Sequence, residues 1–280
     1  MRFARFGPHG SETPAVFDGT GWRALVDVSM DEVVEDLHDA RARVAQQCQE
    51  GNLPEIDEGV RIGPPVLPGK VVCIGLNYRE HARESGADIP REPVIFLKAG
   101  DTVVGPNDPV LIPRGSSKTD WEVELAVVIG RRAAYLASPQ ATAEVIAGFT
   151  ISHDVSEREF QLERGGQWDK GKNCETFNPL GPWLVTPDEV PNPQMLGLRL
   201  AVNGHTRQSA STSDMIFSVL EIVQYVSQFM VLHPGDVINT GTPAGVALGL
   251  PEPKPYLRAG DVVEVDIEGL GRQRQELRNA

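Results

Sequence analysis

Asp120-Trp-Glu-Val-Glu-Leu-Ala-Val-Val-Ile-Gly130 is the stretch from which the rest of the chain is read. From Leu125 to Ile129 every position is apolar and β-branched residues are concentrated, the pattern of a strand covered on both faces. Side chains alternate along a strand, so Glu122 and Glu124 point the same way, with Cα atoms about 6.6 Å apart at roughly 3.3 Å per residue. Ala126 and Val128 continue that face, which sets the two acids at the mouth of a closed core. Two like charges there repel by about 4 kcal/mol at roughly 4 Å and an effective dielectric near 20. A lysine or arginine, a shared proton or a hard divalent ion can offset that cost. An isolated E-x-E is more often simply solvated, so other residues must converge on the same place to give it meaning.

Composition limits the possibilities. The 280 residues are 40% hydrophobic and 23% charged, as in an ordinary soluble globular protein of one or two domains. The 26 basic residues against 39 acidic ones give a net charge of −13 without a basic cluster, which argues against nucleic acid as a partner. No apolar run approaches the roughly 20 residues of a membrane span, and Met1-Arg-Phe-Ala-Arg-Phe-Gly7 lacks a signal peptide's apolar middle. Cys48, Cys73 and Cys174 have neither disulfide-framework nor zinc spacing, so the expected compartment is the cytoplasm.

Residues 1 to about 28 alternate short apolar pieces with turn residues and predict a small antiparallel meander. A helix follows from Ser29 or Asp31 to Gly51, with Val33, Val34, Leu37 and Val44 on its apolar side. The proline-rich Gly63-Pro-Pro-Val-Leu-Pro-Gly69 suggests a boundary between a small N-terminal α/β subdomain, 1–65, and a main body, 66–280. Lys70-Val-Val-Cys-Ile-Gly75 and Pro93-Val-Ile-Phe-Leu-Lys98 read as strands. Between them Asn77 can cap a short helix, with Glu80 at its third position and Gly86 at its end. On that helix His81 and Glu84 are three apart and share a face, the arrangement that orients an imidazole for base work, although most such pairs are surface contacts. Gly148-Phe-Thr-Ile-Ser-His-Asp154 is a strand whose exit carries His153 and Asp154. Ser156 and Glu159 suggest a second capping box, before a helix holding Arg158 and Gln161.

Further on, 165–183 is rich in glycine, charge and aromatics, reads as a functional loop, and has Lys170 and Lys172 as its cations. Leu198 to His205 predicts a strand entering an Asn-Gly hairpin. Ser213 to Met230 predicts an amphipathic helix burying Met215 or Ile216, Val219, Leu220, Val223 and Val226. Gly241 and Gly245 would let backbone N–H groups approach an anion, with Thr242 adding a hydroxyl. Ala259 to Ile267 alternates like an edge strand.

Taken in order, Gly75-Leu-Asn-Tyr-Arg-Glu-His-Ala-Arg-Glu84, Phe96-Leu-Lys98, the E-x-E strand, Gly148 to Asp154, Lys170-Gly-Lys172 and Asn239-Thr-Gly-Thr-Pro243 resemble the fumarylacetoacetate hydrolase family from about Val66 to the end. A departure is Leu76, where relatives often carry arginine. The resemblance implies a mainly β α+β fold, a mixed β-roll or β-sandwich, usually homodimeric. It implies that Glu122, Glu124 and Asp154 bind Mg²⁺ or Mn²⁺, that His81 with Glu84 activates water, and that Lys172 stabilises developing negative charge. By the same resemblance Lys98, Arg158, Gln161 and Thr242 are substrate contacts. The activity implied is metal-dependent hydrolysis of a C–C bond in a 2,4-diketo acid, releasing pyruvate. The 165–189 segment resembles members acting on 2,4-diketo-3-deoxy sugar acids, and an acylpyruvate is the other candidate substrate. Rival readings are an oxaloacetate decarboxylase, a hydroxymuconate-type isomerase or a ureidoglycolate lyase on the same metal site. A vestigial metal-binding dimer is the reading outside enzymology.

Overall fold

A computed structural model of the chain describes residues 1–36, 38–57 and 59–280. At its centre lies the strand Val123–Ile129, buried at every position. It pairs antiparallel with Ile146–His153 on one side and with Val237–Asn239 on the other. Val123, Leu125, Val127 and Ile129 enter one core, whereas Ala126 and Val128 enter a second one with Val33, Val34 and Val44. Burying a Val, Leu or Ile contributes about 1.5–3 kcal/mol. The five such side chains on this strand therefore hold it from both faces by roughly 10 kcal/mol in gross.

The strand sits in an eleven-stranded mixed sheet running from Trp22–Ala24 at one edge to Val94–Ala99 at the other. A five-stranded sheet, ordered His205–Ser211, Gly197–Val202, Val262–Ile267, Gly271–Asn279 and Val110–Ile112, supplies Leu198, Leu200, Val263 and Val265 to the first core. The fold is thus mainly β with short helices, as the sequence implied. The expected N-terminal meander is present, and it joins the large sheet with Phe3 opposite Leu184. Asn203 and Gly204 both have positive φ in the predicted hairpin turn.

Several elements depart from the expected ones. The first helix is broken in two, Met30–Glu35 and Asp39–Glu50, because the Asp36 carboxylate accepts the N–H groups of Asp39 and Ala40 and restarts the chain. Leu37, placed on its apolar side, lies outside the described residues. Asn77 does not cap the helix Arg79–Glu84, whose cap is Tyr78. Instead Asn77 accepts the Phe217 N–H at 2.8 Å and donates to the Thr240 carbonyl at 2.8 Å, which staples three segments together. That staple also keeps 215–217 out of the last long helix, which is only Val219–Val226, capped by Ser218 and Glu221. Ile222 is buried there, and Leu220 is only half-buried.

No capping box forms at Ser156. Ser156–Glu157 is a short strand paired with Thr119–Asp120, which draws the segment after Asp154 onto the E-x-E strand. Spacing alone predicts a short helix from Thr142 to Ala147, but the helix is Pro139–Ala143, since Ile146 and Ala147 already belong to the next strand. The stretch 165–183 is not one loop: it contains the helix Asp169–Lys172 and enters the strand Asn178–Val185, which lies inside the large sheet. Val262–Ile267 is not an edge either, because the polar strand Gly271–Asn279 covers it. In that strand Gln273 and Gln275 are buried by donating to backbone carbonyls of Ile151, Gly181 and Pro106.

Among the described residues no helix is long and apolar enough to cross a membrane.

Candidate metal centre and active site

Glu122, Glu124 and Asp154 offer carboxylate oxygens that all lie within 4.8 Å of one another, and all three side chains are buried. Two strands bring them together. The Asp154 N–H donates to the Glu122 carbonyl at 3.0 Å, one step beyond the pairing of Val123 with His153. His153, beside Asp154, turns away and meets Gln275 at 3.1 Å, and burial pushes its imidazole down to about 3. It is therefore a neutral core side chain.

Cations surround the acids. Lys172 donates to Glu122 Oε2 and Asp154 Oδ2, both at 2.8 Å, and stands 4.9 Å from the Phe96 ring centroid. Arg158 donates from Nε to Asp120 (2.8 Å), from one terminal nitrogen to Gln161 (2.9 Å) and from the other to Glu122 (2.6 Å). Lys98 pairs with Asp154 and donates to the Val155 and Phe177 carbonyls. Burial works to raise Glu122, but Lys172 and Arg158 outweigh it and hold the carboxyl well below its ordinary range. Burial pushes Glu124 the other way, well upward, and the charges of Asp154 and Glu122 add to the effect.

Glu124 is where a metal fits. Its carboxylate accepts the Gly241 N–H at 2.7 Å, and no ion pair to it occurs among the described residues. A hard divalent ion taking one oxygen from each acid would compensate that charge, and an all-oxygen set suits Mg²⁺ or Mn²⁺ better than zinc.

Across the same pocket His81 Nδ1 lies 2.8 Å from Glu84 Oε1, and Glu84 Oε2 accepts the Gly245 N–H at 2.9 Å. A carboxylate only accepts, so Nδ1 carries a hydrogen, and in the neutral imidazole the lone pair is then on Nε2. Gly241 and Gly245 do present N–H groups to anions, as their spacing suggested, but the anions are the protein's own carboxylates. Gly241 has φ +99°, and a Cβ there would stand 2.7 Å from Asn77 Cβ, so only glycine permits this approach.

The cavity has a volume of about 220 Å³ and is lined by His81, Glu122, Glu124, Arg158, Gln161, Lys172 and Thr242, together with a set of apolar side chains. It holds on the order of seven waters at about 30 Å³ each, so it suits a small acid. Thr242 is fixed by donating to the Val123 carbonyl at 3.0 Å and accepting from Gln208 at 2.8 Å. Lys98 is not among the lining residues: it is buried behind Asp154 and braces that carboxylate, unlike the substrate contact expected of it. Asp120 was not singled out from sequence, yet it is fully buried. One of its oxygens accepts the N–H groups of Trp121 and Ala247, and the other accepts Leu248 N–H and Arg158 Nε. Its place at the head of the E-x-E strand was visible, but the partners 127 and 128 residues away were not.

Residues 70–278 match the family model described as fumarylacetoacetate (FAA) hydrolase C-terminal. The chain belongs to the fumarylacetoacetate hydrolase family. A Burkholderia orbicola relative, named provisionally as a hydrolase, is 47% identical over the full length of both chains. Among solved structures, fumarylacetoacetate hydrolase from the psychrophile Exiguobacterium antarcticum is 33% identical with a TM-score of 0.86, and each chain is covered completely. The 5-carboxymethyl-2-hydroxymuconate delta-isomerase from Mycobacterium smegmatis is also 33% identical, with a TM-score of 0.78 over 100% of this chain and 99% of that one. Members of the fumarylacetoacetate hydrolase family thus include both hydrolases and isomerases on this fold.

Proposed function

We propose that the chain hydrolyses a C–C bond in a small 2,4-diketo acid, an acylpyruvate or a 2,4-diketo-3-deoxy sugar acid, releasing pyruvate and the carboxylic acid of the acyl part. The observation that supports it most is the pairing of His81 with Glu84, because the His81 imidazole lines the same cavity as Glu122 and Glu124. Glu122, Glu124 and Asp154 would hold Mg²⁺ or Mn²⁺, which supplies Lewis acidity and a template for the 2-keto acid end.

The chain's own groups account for the proton and charge transfers. His81 Nε2 takes a proton from water as the water oxygen bonds to the acyl carbonyl carbon, and the Glu84 carboxylate stabilises the positive charge that forms on the imidazole. Collapse of that centre breaks the C–C bond, and the electron pair leaves with the pyruvate fragment. The proton on His81 then passes to the methylene carbon and completes the methyl group. Lys172, held by two carboxylates, has a third N–H and a fixed positive charge for the oxygen that gains charge. Arg158 has five N–H groups, of which three are engaged, so two remain for the substrate carboxylate. Gln161 and Thr242 stand beside it in the lining.

The likeness to a delta-isomerase supports a second reading, isomerisation or decarboxylation of a related keto acid without addition of water. Pyruvate release from a panel of 2,4-diketo acids, acylpyruvates and oxaloacetate, with Mg²⁺ and with chelator, separates the two. The hydrolase reading expects metal-dependent pyruvate with a matching carboxylic acid and a large loss in His81→Ala. Pyruvate and carbon dioxide from oxaloacetate alone, at a normal rate in His81→Ala, would replace it with the second reading.

A further inference from the structure

The cavity changes character from floor to rim. Its charged residues are buried, Leu76, Phe96, Trp168 and Leu248 are half-buried, and Leu162 is exposed. Five segments contribute to this apolar wall, and Leu76, Phe96, Trp168 and Leu248 are held in place. Leu76 is kept at φ +55° where the strand Lys70–Gly75 ends. Trp168 meets Phe96 edge-on at 5.7 Å and lies so close over Gly75 that a Cβ there would be 2.7 Å from its ring. Leu248 is pinned through its N–H to Asp120 at 3.0 Å.

The ion balance points the same way. Around the floor, Glu84, Asp120, Glu122, Glu124 and Asp154 face Lys98, Arg158 and Lys172. A divalent ion brings that set to neutrality, and the spare N–H groups of Arg158 and Lys172 serve one substrate carboxylate. Among the described residues the lining holds no third cation. Nearby, Arg164 is paired with Glu159, Lys118 with Glu163 and Arg83 with Glu80, while Lys170, outside the lining, donates to the Arg164 carbonyl at 2.8 Å.

We propose that the substrate's distal end is a neutral, apolar acyl group, and that Leu76, Leu162, Trp168 and Leu248 discriminate against a second carboxylate or a hydroxylated tail. This rests on the diketo acid reading above and selects its acylpyruvate branch. A second carboxylate would lose water on that wall and gain no counter-charge, a penalty worth about 10–100-fold in kcat/KM or more.

The test pairs substrates of equal length on the Mg²⁺-loaded chain: an acylpyruvate with an alkyl tail, its analogue ending in carboxylate, and a polyhydroxylated analogue. Binding of the corresponding unreactive 2-keto acids is measured by calorimetry alongside. The expected result is a preference of at least about tenfold for the alkyl tail in both readouts. Leu162→Arg, which adds a cation at the rim, should raise the ratio of carboxylate-tailed to alkyl-tailed turnover about tenfold. Equal or better use, or binding, of the carboxylate-tailed or hydroxylated compounds overturns the proposal. If no diketo acid is turned over, the hydrolase reading fails, and the binding preference still decides the nature of the wall.

Discussion

Glu84→Gln tests the catalytic reading most sharply, because it changes one atom and leaves the shape. In the native site the two Glu84 oxygens accept from two donors, His81 Nδ1–H at 2.8 Å and Gly245 N–H at 2.9 Å. Glutamine offers one oxygen and one NH₂. The Gly245 N–H cannot reverse its polarity, so the oxygen turns toward it and the NH₂ faces His81 Nδ1. The imidazole must then accept there, and its hydrogen moves to Nε2, the nitrogen that needs a lone pair. The opposite amide flip restores the tautomer but sets the NH₂ against the Gly245 N–H, leaving that donor unsatisfied at about 1–3 kcal/mol. At about 1.4 kcal/mol per tenfold, the working arrangement falls to between roughly a tenth and a hundredth of the population. We expect kcat for pyruvate release to fall about 10–100-fold with KM and metal affinity unchanged. His81→Ala removes the base itself and should lose about 10²–10⁴. The double variant should be no worse than His81→Ala alone. A Glu84→Gln enzyme as fast as the wild type, or one whose metal affinity falls in step with its rate, would refute the reasoning.

Glu124→Gln keeps an acceptor for Gly241 and removes a buried carboxyl whose ionisation is opposed by burial and by Asp154 and Glu122, each worth about 3–4 kcal/mol at 4–5 Å and a dielectric near 20. Without metal this variant should melt a few degrees higher than the wild type. In calorimetry it should bind Mn²⁺ more than about tenfold more weakly, since even residues behind the ligands cost that much. Asp120→Asn leaves one oxygen for four donors, so either Arg158 and the Leu248 N–H or the Trp121 and Ala247 N–H groups lose their acceptor, and stability should drop by about 3–5 kcal/mol and Tm on the order of 10 °C. Far from the site, Glu12 meets Arg5 at 3.1 Å and Arg61 at 2.9 Å. Burial opposes them, but Arg61 and Arg5 prevail and hold the carboxyl below its ordinary 4.5. Its contribution is therefore complete above about pH 4.5 and fades as pH falls through the lower folded value. Urea melts should show Glu12→Gln less stable than wild type at pH 7, with the gap closing below pH 4.5.

The E-x-E strand was legible because its pattern is local. Unbroken apolar residues announce two covered faces, and alternation places both acids on one of them. The His81 and Glu84 contact followed from helical spacing for the same reason. Where long-range partners override local preference, the reading went astray. Asn77 has the chemistry of a helix cap, but Phe217 and Thr240 claim its amide. Ser156 and Glu159 spell a capping box, but pairing with Asp120 makes that segment extended. The strand Gly271–Asn279 is masked by its charge, and its two glutamines are buried because they find the backbone carbonyls of Ile151, Gly181 and Pro106. In the site, the side-chain types were evident, whereas their division of labour was not. Lys98 reads as a pocket residue in sequence and Asp120 does not stand out there, yet both act from behind the pocket.

The segment 241–248 donates backbone N–H groups to Glu124, Glu84 and Asp120. Asp120 and Glu124 belong to the E-x-E stretch and Glu84 to the helix before it, and each lies at least 117 residues from the segment that donates to it. A partly folded chain, even with its strands formed, would have neither a finished ion cradle nor an oriented imidazole until this last crossover docks. Chemistry therefore cannot begin early on an incomplete molecule. Length changes within these eight residues would also dislodge three acids at once, so natural variation here should take the form of substitution and never of insertion.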